Sequence, residues 1–346
     1  MAYVIRSSEQ NASRANEMET RALLHMLSFR EEYDDINCFA IDFFNDVTGM
    51  DNMSLRLYDV QSKAARSGPK EIGPELVTLF KNYISDFHDY FVEEVLFIGG
   101  IRNNLLDDNG LTEFHFSDLT EDAQREIRSS FEKACLNKSY IDNDAVTTEH
   151  IEGFLSEVVF IVSKESVDEY IMPLIQASAV LMPTSDDLRA IFNEIKKAQV
   201  GIKTQSKVEG LEINHPVDVY RYNRVLKREK IELLVISRLI NRNPLEAGIP
   251  SCFAPIYATM LEVAPEDAEE NLEDCQHEVA RQMFAASEAT AFWTLLDEVV
   301  TAIKNKPGAG VDELFASIRP ETLAGCKFLH ALSAQYFIAI VKDGLG

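Results

Sequence analysis

The stretch NCFAIDFFNDVTGMDNMSLRLYDVQSKA, residues 37–64, decides the fold. Residues 37–46 are aromatic-rich and predict a strand. Residues 47–52, with Gly49 and Asp51-Asn52, carry turn chemistry, and residues 54–64 alternate as a second strand does. Side chains of a strand point to opposite faces in turn, so Leu55, Leu57, Asp59, Gln61 and Lys63 share one face. An amide and an ammonium on an inward face cost free energy unless they are paired or open to a cleft. In the first strand Asp42, Phe44 and Asp46 share a face, with Asp46 at the end beside the turn. Two antiparallel strands joined through 47–53 bring Asp46 toward Gln61 and Lys63.

Working outward, residues 13–30 predict a helix capped by Ser13. At 100° per residue, Glu19 falls in the middle of the face made by Ala22, Leu23, Met26 and Leu27, while Glu17 falls on the polar side. A carboxylate on that face needs a partner, and a metal or Lys63 would serve. C-terminal to the stretch, the pattern predicts a helix over 74–87, a strand over 91–98 closed by Gly99-Gly100, a helix over 118–136 and a strand over 154–163. From 166 the period is helical, over 166–180, 185–199, 216–241, 264–285 and 287–305. Residues 243–255 hold three prolines and a glycine, the composition of an elbow. The expected architecture is an α/β domain over 1–165, a mixed sheet flanked by helices, followed by an all-α domain over 166–346 for assembly or partner binding.

The constellation suits metal-assisted phosphodiester hydrolysis. Hard Mg²⁺ or Mn²⁺ wants oxygen ligands, here Asp46, the Gln61 carbonyl and Glu19. Lys63 would hold the attacking water or stabilise developing negative charge. The plain alternatives are a turn role for Asp46 beside Gly49, and structural pairing of Glu19 with Arg56 or Arg66. Gln-x-Lys alone says little, since Gln205-Ser206-Lys207 repeats it in a polar loop. The weight lies in the order: helix with an inward acid, strand ending in Asp, turn, strand with Gln-x-Lys, helix, strand.

Carried by SRANEMETRALL, FFNDVTGMDNMSLRLYDVQSKA and EIGPELVTLF, the segment from Ser13 to Gly100 resembles the restriction-endonuclease-like (PD-(D/E)xK) superfamily. It is most similar to the nuclease domain of bacterial antiphage-defence effectors of the CBASS and Lamassu kinds. The resemblance implies a metal-dependent DNA endonuclease. Asp46, Gln61 and Lys63 would be its catalytic residues, with Glu19, Asp46 and Gln61 at the metal. Gln61 stands where Glu or Asp is usual and removes one negative ligand. The rival expectation is therefore a catalytically degenerate interaction subunit docked on a partner ATPase.

Charge bears on the partner. The 346 residues carry 33 Lys and Arg against 57 Asp and Glu, a net charge of −24. Residues 151–250 nevertheless sum to −1, because 221–230 (RYNRVLKREK) is strongly basic. Arg221, Arg224, Lys227 and Arg228 are candidate phosphate contacts beside Tyr220 and Tyr222, with Lys203 and Lys207 extending the patch. The plain alternative is an amphipathic helix with a solvated basic face. The acidic run from Glu262 to Glu278 predicts a solvated helix face. The remaining acid repels a DNA backbone, so the expected partner grips DNA itself, an SMC-like or hexameric ATPase in a homo- or hetero-oligomeric complex. No apolar run approaches membrane-span length and the start MAYVIRSSEQ lacks a signal-peptide core. Five scattered cysteines without a CxxC pair predict reduced core thiols and a cytoplasmic protein.

Overall fold

A computed structural model describes residues 3–6, 13–29, 33–102, 105–106, 108, 110–176, 179–246 and 248–346. Residue 30 of the expected first helix, 177–178 of the next expected helical run and 247 of the elbow lie outside the described residues. The described chain opens with a short strand, β1 (Tyr3–Val4), and helix α1 (Ser13–Ser28). The stretch 37–64 then folds as three strands where two were expected: β2 (Cys38–Ile41), β3 (Val47–Met50) and β4 (Leu57–Lys63). The turn falls at 42–46, closed by the Ile41–Val47 pair and by the Asp42 N–H donating to the Asp46 carbonyl at 3.0 Å. Asp42 sits at φ +48°, a left-handed conformation that Asp tolerates better than most residues. Residues 47–50, expected as a turn, are strand because Gly49 serves packing. A Cβ there would lie 2.5 Å from Ile36 Cδ1 and 3.3 Å from Met26 Sδ. The second reversal is held by Asp51, whose Oδ1 accepts from the N–H of Leu55 at 2.7 Å and of Arg56 at 3.0 Å.

The chain continues through α2 (Pro69–Glu75), α3 (Val77–Tyr83), β5 (Phe91–Ile98), β6 (Glu113–His115), α4 (Glu121–Leu136), α5 (Thr148–Glu157), β7 (Val159–Val162) and α6 (Val167–Ile171). The expected helix over 74–87 begins earlier, with Pro69 at its first position, where a missing N–H costs nothing. The expected strand over 154–163 keeps only its second half. Ile151, Phe154 and Leu155 are buried at helical spacing, and Thr147 caps α5 by accepting from the His150 N–H at 3.2 Å. After α7 (Ser185–Lys203) and β8 (Glu212–Ile213), the expected helix over 216–241 splits. A 3₁₀ turn over Pro216–Tyr222 ends at Asn223, in the left-handed region at φ +53°. Strand β9 (Val225–Lys227) and helix α8 (Arg228–Leu239) follow.

The main sheet is mixed, in the order β6-β7-β5-β4-β3-β2-β9. β2, β3 and β4 form an antiparallel meander, and β4, β5 and β7 run parallel. Alternation along β5 separates the layers. Leu96 and Ile98 join a core with Ile72, Leu76, Phe80, Phe131 and Phe154, which come from α2 to α5 or their junction. Phe97 points the other way, its ring 5.6 Å from that of His25 on α1. The chain forms two compact units, residues 1–171 with 192–228, and 172–191 with 229–346. The first unit is thus not one run of sequence ending near 165. Residues 192–228 belong to it because β9 pairs with β2 and β8 with β1.

The second unit is helical: α9 (Ala254–Val263), α10 (Ala268–Phe284), α11 (Ala289–Asn305), α12 (Val311–Ser317), α13 (Pro320–Gly325) and α14 (Ala331–Leu345). The proline-rich 243–255 stretch lies inside this unit. There Asp343 takes the N–H of Cys252 at 3.0 Å and Arg242 at 2.7 Å. Among the described residues no helix is long and apolar enough to cross a membrane. All five cysteines are free, and four are buried.

Candidate active site

Strand β4 is buried from Leu57 to Val60 and opens at Gln61, Ser62 and Lys63. Val47 pairs with Val60, so Asp46, one residue before β3, lies beside the open end of β4. Its Oδ2 accepts from both the backbone N–H and the hydroxyl of Ser62, each at 2.8 Å. Gln61 Oε1 accepts from the Thr78 hydroxyl at 3.1 Å. The Lys63 ammonium donates to Glu75 Oε1 at the end of α2. From the opposite layer α1 brings Glu19, which accepts from Gln199 Nε2 at 3.0 Å and forms an ion pair with Lys203. Lys203 also donates to Asn16 Oδ1 at 3.2 Å, and Thr20 donates to Gln199 Oε1 at 2.9 Å. The pair is dry: the side chains of Lys203 and Glu19 are 5% and 3% exposed.

The charges act on one another. Burial pushes the Glu19 carboxyl up to about 7, the charge of Asp46 adds to this, and Lys203 opposes it. Burial also raises Asp46, while the two Ser62 bonds and Lys203 pull it down and Glu75 pushes it up. Two carboxylates thus reach the end of β4 from one layer and its flanking loop, and Glu75 arrives from the other layer. Lys203 pairs with Glu19, and Lys63 pairs with Glu75.

Two positions back on the same face, Asp59 is wholly buried. It accepts from Thr48 at 2.6 Å, from Asn82 at 2.7 Å and from Asn45. Tyr3 donates to Asn82 Oδ1 at 2.5 Å and closes the cluster. Burial raises Asp59 to about 6 against these donors.

Glu19 and Asp46 on one face, and Gln61 and Lys63 on the other, therefore reach the same strand end, but not in the expected pairs. Glu19 meets neither Arg56 nor Arg66 nor Lys63 in the ion pairs described. Its cation is Lys203, while Arg56 pairs with Asp35 at 3.0 Å. Glu17 pairs with Arg21 on the half-exposed side of α1. Sequence reasoning missed Glu75, Ser62, Thr78, Gln199 and Lys203. A signal existed for the last two. Leu188, Ile191, Phe192, Ile195, Gln199 and Ile202 are buried at helical spacing along α7, and Lys203 continues the stripe. The expected helix ended at 199, which left Lys203 in a supposed loop.

The basic stretch 221–230 does not form one face. Arg221 is exposed and pairs with Asp218 at 3.0 Å. Arg224 is buried at 4% exposure, with Asp42 at 3.5 Å. Lys227 is exposed on the edge strand β9, and Arg228 reaches the Ile36 carbonyl at 3.4 Å. Arg224 and Lys203 are thus interior ion-pair partners, and the expected phosphate-contacting patch loses both. The break at Asn223 and the pairing of β9 with β2 are the cause.

No family model, curated protein or solved structure matches this chain. What the cluster can do rests on its own chemistry. The donors near Asp46 are hard oxygens, the type Mg²⁺ or Mn²⁺ takes. Their arrangement does not fit an ion: Glu19 is taken by Lys203 and Gln199, Asp46 is held by Ser62, and the Gln61 carbonyl is held by Thr78. Among the described residues no group of three His, Cys, Asp or Glu side chains is placed to hold a metal.

Proposed function

We propose that the protein is a DNA endonuclease, the phosphodiester-hydrolysing effector of a cytoplasmic antiphage defence complex. The observation that carries the proposal is the convergence of Asp46, Gln61-x-Lys63 and the helix acid Glu19 on the open end of β4. The chain runs helix, three-stranded antiparallel meander, helices and parallel strand, with Asp46 in the turn before β3 rather than at a strand end, an order close to the one the resemblance implies. Lys63 is about a third exposed, so its ammonium can exchange Glu75 for a phosphate oxygen and hold the charge that develops there. Ser62 fixes the Asp46 carboxylate by two bonds at the end of the same strand. No step here passes through a divalent metal, because the carboxylates as placed do not cradle one. With 57 acids against 33 bases, solitary binding to DNA is weak, and an SMC-like or hexameric ATPase partner delivers the substrate.

The test is plasmid cleavage by the chain purified with the products of its neighbouring genes, with and without Mg²⁺ or Mn²⁺. Cutting is expected in at least one of these conditions, and it is lost in Lys63→Ala and Asp46→Asn while both variants stay folded. Variants that cut as well as the parent reject the assignment. A second reading is favoured by one observation: Glu19 and Glu75 are each already neutralised by a lysine. On that reading the unit is a degenerate docking module for the ATPase. It predicts stable association with the partner and no cutting in any assembly.

A further inference from the structure

Helix α9 is out of keeping with its unit. Its sequence APIYATMLEV carries a single charge, Glu262, and one polar residue besides, Thr259. Such a composition belongs in a core, yet none of its residues is buried. Helix α14, similarly apolar, buries every residue from Tyr336 to Val341. On α9, Leu261 and Val263 are 45% and 80% exposed. Ile256, Met260 and Val263, at i, i+4 and i+7, line a groove of 430 Å³ together with Asn271 of α10 and Asp312 of α12. An apolar stripe at that spacing accepts the matching stripe of another helix.

The surround is acid and unanswered. From Ala254 to Ala280 the chain holds eight Asp and Glu and no Lys or Arg. Glu262, Glu266, Glu269, Glu270 and Glu273 are exposed, and none has an ion-pair partner among the described residues. Elsewhere in the unit acids find cations, as Glu313 does Lys306 at 2.9 Å and Glu288 does Lys327 at 2.7 Å. Glu269 and Glu270 complement the dipole in the first turn of α10, but Glu262 at the end of α9 opposes that helix's dipole. Helix stability therefore does not account for the run.

We propose that α9 and the acids of 262–274 form a docking surface for a basic amphipathic helix of a partner protein. The apolar stripe of that helix covers Ile256, Met260 and Val263, and its Lys and Arg flanks meet the acids. A second copy of the chain does not suit the face, because it brings the same acids against them, and a nucleic acid is repelled likewise. The surface lies wholly within the second unit and does not rest on the endonuclease reading.

The experiment is peptide binding to the full chain, read by calorimetry at low and at physiological salt. The probe is a helix-forming peptide of Ala, Lys and Arg with Leu at i, i+4 and i+7. One control scatters the leucines at the same composition, and another replaces every Lys and Arg by Glu. The probe is expected to bind about tenfold tighter than either control, or more. Met260→Ser with Val263→Ser, neither of them buried, should weaken it about tenfold. Glu266→Gln with Glu270→Gln should weaken it about fivefold. Glu126→Gln with Glu149→Gln removes the same charge from the first unit and should change nothing. Circular dichroism checks each fold. Independently of any variant, carbodiimide should join the bound probe's lysines to carboxylates within 262–274, read by peptide mass. Controls that bind as well as the probe overturn the proposal. So do equal losses in the two glutamine variants, undiminished binding by the folded serine variant, or cross-links that avoid 262–274. Self-association of the chain alone, seen by sedimentation and lost in the serine variant, assigns the face to a second copy and overturns it too. None of these results bears on DNA cleavage.

Discussion

Asp59 and Lys63 lie on the same face of one strand, two alternations apart, and meet opposite surroundings. Asp59 is fully buried and hydrogen-bonded by the neutral donors Asn45, Thr48 and Asn82, with Tyr3 closing the shell and the buried Lys81 ammonium acting on it through space. Lys63 is part-exposed and answered by Glu75, at a strand end where burial raises Glu19 and Asp46 and Lys203 pulls both down. A buried acid held by three neutral hydrogen-bond donors is built to stay put. A cluster of opposed charges at an open strand end is built to exchange partners. The difference separates a structural polar centre from the proposed active site on the same few residues of sequence.

The comparison can be broken in several places. The largest effect is expected at Asp59. Asp59→Ala leaves the Thr48, Asn45 and Asn82 donors unmet in a dry interior and should cost about 3–5 kcal/mol, read by chemical denaturation. A loss under about 1 kcal/mol would mean that the shell is not structural. Lys203→Met leaves Glu19 buried without its cation and should cost about 3 kcal/mol, most of it recovered in the Glu19→Gln/Lys203→Met double variant. Additive losses in that cycle would deny the pair. Gly73→Ala should cost about 1–3 kcal/mol, because its Cβ would lie 2.6 Å from the Phe131 backbone nitrogen where α2 crosses α4. An unchanged denaturation midpoint would show that the crossing can widen.

The smallest effect is in pH. The folded Glu19 carboxyl titrates near 7, above the ordinary value of 4.5, so between these two the folded chain holds more proton than the unfolded one. Stability therefore falls as pH rises from about 4.5 to about 7, and it is flat for this group above that. Asp59, raised to about 6, adds in the same direction. Glu19→Gln should flatten the slope of melting temperature against pH across this window. Equal slopes in parent and variant would show that Glu19 is not raised.

Much of this was legible in the sequence. The inward position of Glu19 on α1 and the shared face of Asp59, Gln61 and Lys63 follow from helical and strand periodicity. The partners were not legible. Glu75 and Lys203 reach the site from α2 and α7, and no local pattern ties residue 19 to residue 203. The turn was misplaced for a physical reason: Gly49 permits the close approach of Ile36 and Met26, and a glycine kept for packing looks in sequence like a glycine kept for a turn. Arg224 looked like surface charge because β9 exists only through its pairing with β2.

The central claim is that the open end of β4 is a reactive site while the centre two alternations back is scaffold. It is tested most directly by plasmid cleavage by Lys63→Ala in the partner complex, with its denaturation midpoint measured on the same preparation. A part-exposed pair costs at most about 1 kcal/mol to lose, so the variant should keep the parent's midpoint and cut no DNA. Undiminished cleavage by a folded Lys63→Ala chain would contradict the claim.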